Sequence, residues 1–221
     1  MKLPTSLRQP RALALAAGAA AALACGAASA QTTFTGFTNG CFGGGCTPET
    51  TSAPATDFLA GSGLTYANST FNVTSAGGVA GLGASGMLLP ASNIDNLGSW
   101  ALTGAPFNYN GNSFTLRVSF TAPPGTAPGS ALFTSTLLGT VIATDNGGLS
   151  IDFDNTPRPF TFAGGTFTLR VDDVSLTPHA VVTPVASTGF ITVSAVPEPE
   201  TYALFLAGLG AVGFMARRRK S

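Results

Sequence analysis

The sequence predicts an all-β domain, an antiparallel β-sandwich of jelly-roll-like type, followed by one C-terminal transmembrane helix. Three observations carry that expectation. The chain of 221 residues holds 28 Gly and 15 Pro but only 9 % charged residues, so it is polar through hydroxyls and is punctuated for turns. Short stretches alternate apolar and polar residues with period two, as in Ser113 to Thr121, where Phe114, Leu116, Val118 and Phe120 share one face and Thr115, Arg117, Ser119 and Thr121 the other. The one long apolar run that suits a helix is Tyr202 to Ala216, YALFLAGLGAVGFMA, close to the C-terminus.

Each strand follows from the same pattern and from the turn residues around it. Expected strands are Thr56–Ala60, Leu64–Ala67, Thr70–Thr74, Ser99–Thr103, Ser113–Thr121, Leu132–Ala143, Gly148–Phe153, Arg158–Phe162, Thr166–Leu176 and Phe190–Ser194. Pro123-Pro124-Gly125 ends the clearest of them. The five residues F-T-L-R-V at 114–118 return at 167–171, which reads as two equivalent strands of a sandwich. Parity flips inside the second copy: Phe167, Leu169 and Val171 are odd, Val174 and Leu176 even, so a β-bulge at Asp172-Asp173 is expected. Gly77 to Gly86, rich in Gly and Ala, is expected to be a loop, and residues 31–55 a Gly/Thr/Pro-rich lead-in to a sandwich domain spanning 56–195.

The formal net charge of zero hides segregation. Lys2, Arg8 and Arg11 sit at one end and Arg217, Arg218, Arg219 and Lys220 at the other. Within residues 31–195 three basic residues (Arg117, Arg158, Arg170) face eight acids, a body charge of −5. A nucleic-acid partner is excluded, because that needs clustered Lys and Arg.

Both ends read as addresses. Residues 1–30 have the order of a secretory signal peptide: a basic start, an apolar run from Ala12 to Ala24, and small residues Ala28-Ser29-Ala30 before the cleavage that exposes Gln31. Signal peptidase is the implied partner; lipoprotein processing at Cys25 is the alternative, with Leu23 one place off the usual position. At the other end, Pro197-Glu198-Pro199 is stiff and delays helix formation. The 15 apolar residues that follow span about 22 Å as a helix, a little short for a bilayer core of about 30 Å. Arg217 to Lys220 form a membrane stop that keeps the tail cytoplasmic and the body outside. The order Pro-Glu-Pro, short apolar helix, basic cluster over residues 196–221 resembles the PEP-CTERM signal of exosortase substrates. That resemblance implies export, a transient hold in the inner membrane by the tail, processing near the motif by an integral-membrane exosortase, and release to the cell surface or extracellular matrix of a Gram-negative bacterium that makes extracellular polysaccharide. A plain C-terminal anchor is the alternative; a lipid-exchanged tail fits worse because such tails do not end in an Arg cluster.

Chemistry in the body is sparse. Once residues 1–30 are removed, Cys41 and Cys46 are the remaining cysteines, and C-F-G-G-G-C in an exported chain suggests a disulfide that stiffens an N-terminal loop, with a gain at or below the lower end of about 2–4 kcal/mol. His179 is the one histidine; beside Pro178 it reads as a turn or strand-edge residue, and no nucleophile elbow accompanies it, since Gly83-Ala84-Ser85-Gly86 lacks the spacing. Asp152 and Asp154 share a strand face, with Asp145 nearby, an oxygen-rich set of the kind that holds Ca²⁺; solvated turn carboxylates are the plainer reading, and no other cofactor is implied. Asp152 and Asp172 could also serve as a carboxylate pair for glycan hydrolysis. Trp100 and Tyr109, with Tyr66 and Phe107, could form an aromatic platform for sugar rings, although aromatics in a sandwich more often build the core. The leading expectation is a non-enzymatic surface or matrix protein associated with exopolysaccharide or biofilm. A carbohydrate-binding module with one specific glycan is the first alternative, and a carboxylate-dependent hydrolase the second.

Overall fold

The computed structural model describes residues 31–83, 95–195 and 199–218. In chain order the strands are β1 (Thr33–Phe42), β2 (Thr56–Leu59), β3 (Leu64–Ala67), β4 (Thr70–Thr74), β5 (Val79–Leu82), β6 (Ser99–Leu102), β7 (Phe107–Asn108) and β8 (Ser113–Ala122). They continue as β9 (Ser130–Ala143), β10 (Asn146–Phe153), β11 (Arg158–Phe162), β12 (Gly165–Val171), β13 (Val174–Leu176), β14 (Val185–Ala186) and β15 (Gly189–Ala195), before helix α1 (Pro199–Arg218). Every pairing among them is antiparallel.

The strands make three sheets. The large one runs β13-β10-β9-β8-β1-β4, with β7 also on β9; the others run β11-β12-β15-β5 and β14-β6-β3-β2. Aromatic contacts show how they pack. Phe34 of β1 and Phe120 of β8 meet Phe167 of β12 at 4.8 and 4.9 Å between ring centroids. Farther along the same two strands, Phe114 meets Tyr66 of β3 at 4.8 Å and Trp100 of β6 at 4.5 Å, and Phe42 meets Trp100 at 6.0 Å. The two four-stranded sheets thus divide the inner face of the large sheet between them. Burial follows the alternation of β8: Phe114, Leu116, Val118 and Phe120 lie inside, while Thr115, Arg117 and Thr121 do not. The two F-T-L-R-V copies lie in opposite layers, in β8 and β12.

Three features differ from the sequence reading. First, residues 33–42 of the expected lead-in form β1, which lies between β8 and β4 in the large sheet. Its inward side chains are Phe34, Gly36, Thr38, Gly40 and Phe42, and the glycines leave room for neighbouring rings: a Cβ at Gly40 would collide with Phe114 and Tyr66, and one at Gly36 with Phe71 and the Ser119 carbonyl. A strand whose core face is partly glycine does not look apolar in sequence. Second, part of the expected loop at Gly77–Gly86 is strand β5, paired with β15; positions 84–86 lie outside the described residues. Third, Asp172-Asp173 is no bulge. The chain changes sheets there, from β12 paired with β15 to β13 paired with β10. Each acid belongs to one side: the Asp172 N–H donates to the Thr188 carbonyl at 3.1 Å, and Asp173 Oδ1 accepts from the Phe153 N–H at 2.9 Å. Crossing to the facing layer reverses which parity points inward, which accounts for the flip.

Candidate functional site

The C-terminal segment follows the last strand closely in sequence. β15 ends at Ala195, three residues follow, and α1 starts at Pro199, a residue suited to the first helical position because its missing N–H would be unpaired there in any case. Pro197 and Glu198 lie outside the described residues, as do Arg219 and Lys220. Along α1, Phe205, Leu206, Leu209, Val212 and Met215 are each more than half exposed. The expected transmembrane helix forms as a helix, but among the described residues no helix is long and apolar enough to cross a membrane. Between Thr201 and Arg217 the helix carries 15 apolar residues.

With that geometry in place, the comparison with known families is decisive for this segment. The family description "PEP-CTERM protein-sorting motif" matches residues 195–220. The chain carries a PEP-CTERM protein-sorting motif at its C-terminal end. The PEP-CTERM motif marks it for export and for sorting to the cell surface by way of the membrane, with exosortase as the processing enzyme. Its match begins at the last residue of β15, so motif and fold share a residue. No curated protein and no solved structure is significantly similar to the chain.

The remaining candidate residues are placed as follows. Ala28 and Ala30 lie outside the described residues; Gln31 is the first described and is exposed. Cys41 and Cys46 are disulfide-bonded, with Cα atoms 6.1 Å apart. Gly43 and Gly45 turn the loop with φ of 103° and 78°, a region that favours glycine. Beyond Cys46 the chain lies along the outer side of β1 and β8 and is pinned by side chains. Buried Asn39 donates through Nδ2 to the carbonyls of Glu49 (2.8 Å) and Thr51 (2.9 Å), and Arg117 Nε donates to that of Pro48 (3.2 Å). Asn68 completes the clasp, bonding Asn39 Oδ1 at 3.0 Å and the Ala53 carbonyl at 3.2 Å. The disulfide thus starts a strap over a sheet.

Trp100 and Tyr109 offer no platform to a sugar. Both are fully buried. Trp100 Nε1 donates to Ser187 Oγ at 2.6 Å and the Tyr109 hydroxyl to the Ser62 carbonyl at 2.5 Å, so their polar atoms are consumed inside. Tyr66 is likewise interior, its hydroxyl donating to the Leu97 carbonyl at 2.7 Å, and burial pushes its phenol well above the usual tyrosine range.

The proposed calcium ligands do not converge. Asp145 sits in the turn between β9 and β10, whereas Asp152 pairs with Thr136, seven residues from Ala143 at the turn end of β9, about 23 Å along the strand. Among the described residues no three acidic, histidine or cysteine side chains are grouped as a metal site would require. Asp154 is engaged by Arg158 at 2.5 Å and accepts the Thr156 N–H at 3.1 Å. The Thr156 hydrogen bonds, and then the Arg158 charge, hold its carboxyl below the usual range. Asp145 instead meets His179, Oδ1 to Nδ1 at 2.8 Å, while His179 Nε2 lies 2.8 Å from the Thr177 hydroxyl. Sequence reasoning missed this hydroxyl–imidazole–carboxylate row because Asp145 is 34 positions from His179. Both His179 and Asp145 side chains are more than half exposed. The Asp145 N–H also donates to the Pro178 carbonyl at 2.9 Å. The row's evident work is to fasten the loop after β13 to the β9–β10 turn.

Proposed function

We propose that this chain is a non-enzymatic surface protein of a Gram-negative bacterium, exported behind a cleaved signal peptide. In this reading α1 holds it in the inner membrane until an exosortase cuts near Pro197-Glu198-Pro199. It then joins an exopolysaccharide or biofilm matrix. The observation that carries the reading is the tail: a sorting motif that includes a helix whose described large apolar side chains are more than half exposed. At 15 apolar residues the helix enters a bilayer only with its flanking Arg side chains snorkelling and the bilayer thinned locally. A structural role is supported by how the domain uses its polar groups. Asp154 pairs with Arg158, Asp172 with Arg170 and Asp145 with His179, each serving a local clasp. The hydroxyl-rich body with a charge of −5 suits a hydrated glycan matrix.

The deciding measurement is the mass of the C-terminal peptide of the mature protein taken from native cells. A chain that ends near Pro199 supports sorting and release. A chain that keeps Lys220 and Ser221 makes the tail a permanent anchor. Fractionation of wild-type cells against cells lacking the polysaccharide tests the matrix association: the protein should leave the matrix fraction when the glycan is absent.

A further inference from the structure

The strand ends gather several turns at one pole of the domain. Thr32 and Ser75 exchange backbone hydrogen bonds at 2.9 Å, one through the Ser75 side chain, which sets the start of β1 beside the end of β4. The Gly78 carbonyl accepts the Val193 N–H at 2.7 Å, and Gly165 pairs with Ala195, so the β4–β5 and β11–β12 turns flank the end of β15. Ala127 bridges Thr161 and Ala122 pairs with Thr35, which brings in the β8–β9 turn. The segments so gathered (31–33, 74–79, 121–129, 161–166 and 193–195) contain no charged residue. Asp152 and Asp172 lie farther along the strands, whereas Asp95 is nearer, its Oδ1 accepting the Asn72 N–H at 2.7 Å, two residues from Thr74. Asp152 pairs with Thr136, six residues along β9 from Ser130, about 20 Å. Asp172 is seven residues along from Gly165, about 23 Å. These separations exceed two Debye lengths of about 8 Å at physiological salt.

The tail leaves from this pole. From Ala195 to Pro199 are four residue steps, a reach of at most about 14 Å. We propose that the uncharged pole is the surface on which the domain rests against the phospholipid bilayer, including its anionic headgroups, while α1 is inserted. This rests on the reading that α1 enters the membrane. Charge placement favours the bilayer as occupant: a domain of −5 tethered this closely is repelled by anionic lipid less strongly when acids such as Asp152 and Asp172 are turned away and the pole segments themselves carry no charge. The arrangement also confines the exosortase to a gap of about 14 Å beneath the pole.

The test uses the full chain in vesicles of phosphatidylcholine and phosphatidylglycerol, some lipids carrying a nickel-chelating headgroup. A ketone-linked spin label is placed singly at Ala76 or Ala163 on the pole, at Asn146 on the far turn, or at Val212 on α1. The expected result is strong nickel relaxation at Ala76 and Ala163, at least threefold above Asn146, with Val212 shielded inside the bilayer. Val212 shielded but Ala76 and Ala163 relaxed no more than Asn146 overturns the pole and leaves the membrane reading standing. Val212 exposed to water overturns both. Pole labels that stay remote from lipid and cross-link only to co-reconstituted exosortase assign the surface to the enzyme and also overturn the proposal. The double variant Ala76→Glu, Ala163→Glu should cut the relaxation of a label at Gly125 at least twofold in anionic vesicles; no change refutes the charge argument.

Discussion

At the scale of single residues, aromatic rings and the glycines that seat them hold the domain together. Trp100 touches Tyr66, Phe42 and Phe114 and gives its indole N–H to Ser187. Trp100→Ala leaves a cavity and an unpartnered Ser187 hydroxyl, so a loss of about 3–5 kcal/mol is expected in urea unfolding. Gly40→Ala should cost a comparable share, because both groups its Cβ would meet are packed rings with nowhere to retreat. If Gly40→Ala melts like wild type, the placement of β1 is wrong. Charge acts more gently. Hydrogen bonds from Thr156 and the charge of Arg158 depress Asp154, so its ionised form is favoured in the folded state. Its contribution is therefore present above the ordinary carboxylate pKa and fades as pH falls through the depressed value. Asp57 runs the other way, raised first by partial burial and then by the Glu49 charge, and its ionised form opposes folding above that raised value. Asp154→Asn should flatten the acid limb of a plot of melting temperature against pH, while Asp57→Asn should raise stability near neutrality; both are read by thermal scans at stepped pH. Residue-scale chemistry was the least legible in the sequence. Trp100 and Tyr109 carry the same letters in a glycan platform as in a core, and only burial tells the two apart.

Elements show where a period-two reading succeeds and where it stops. β8 was legible because its inward residues are all large and apolar. β1 was not, because Gly36, Thr38 and Gly40 on its inward face read as linker, and β5 was hidden by Ala80 and Gly81. The corner at Asp172-Asp173 announced itself as a parity flip, but a bulge and a change of sheet leave the same mark in a sequence. The corner makes its own prediction. Asp173→Ala strands the Phe153 N–H, which should cost about 1–3 kcal/mol. Hydrogen exchange at Phe153 and along β13 should rise more than along β12. The strap that starts at Cys46 is a second element-scale device. Reducing the Cys41–Cys46 disulfide should cost no more than about 2 kcal/mol, since the ring is small and Asn39, Asn68 and Arg117 still hold the following residues. Asn39→Ala should therefore loosen residues 46–55 more than reduction does, by protease nicking or exchange.

For the whole molecule, domain and tail perform separate physical tasks. The described apolar side chains of α1 are exposed, so removing residues 199–221 should leave the melting temperature within about 2 °C while abolishing partition into vesicles. A tail deletion that unfolds the domain would show that α1 packs on it after all. The short connection makes the two tasks interdependent in space. The sorting motif begins on the last residue of β15, which is paired with β12, so cutting far upstream of Pro197 would require that strand to peel away. Inserting eight Gly/Ser residues after Ala195 should leave stability unchanged and speed processing, as followed by the appearance of the shortened form in cells.

The sequence by itself determined the address and the class of fold. A Pro-Glu-Pro triplet, an apolar run and an Arg cluster are contiguous, and so is the alternation of a half-buried strand; such local order needs no partner to be read. Tertiary structure alone decided which aromatics face solvent, that Asp145 meets His179 instead of Asp152, that a glycine-lined segment is an inner strand, and that the uncharged turns share one pole with the tail. Each of these depends on contacts between residues tens of positions apart, and burial, pairing and proximity are properties of the packed chain that no local stretch of letters contains.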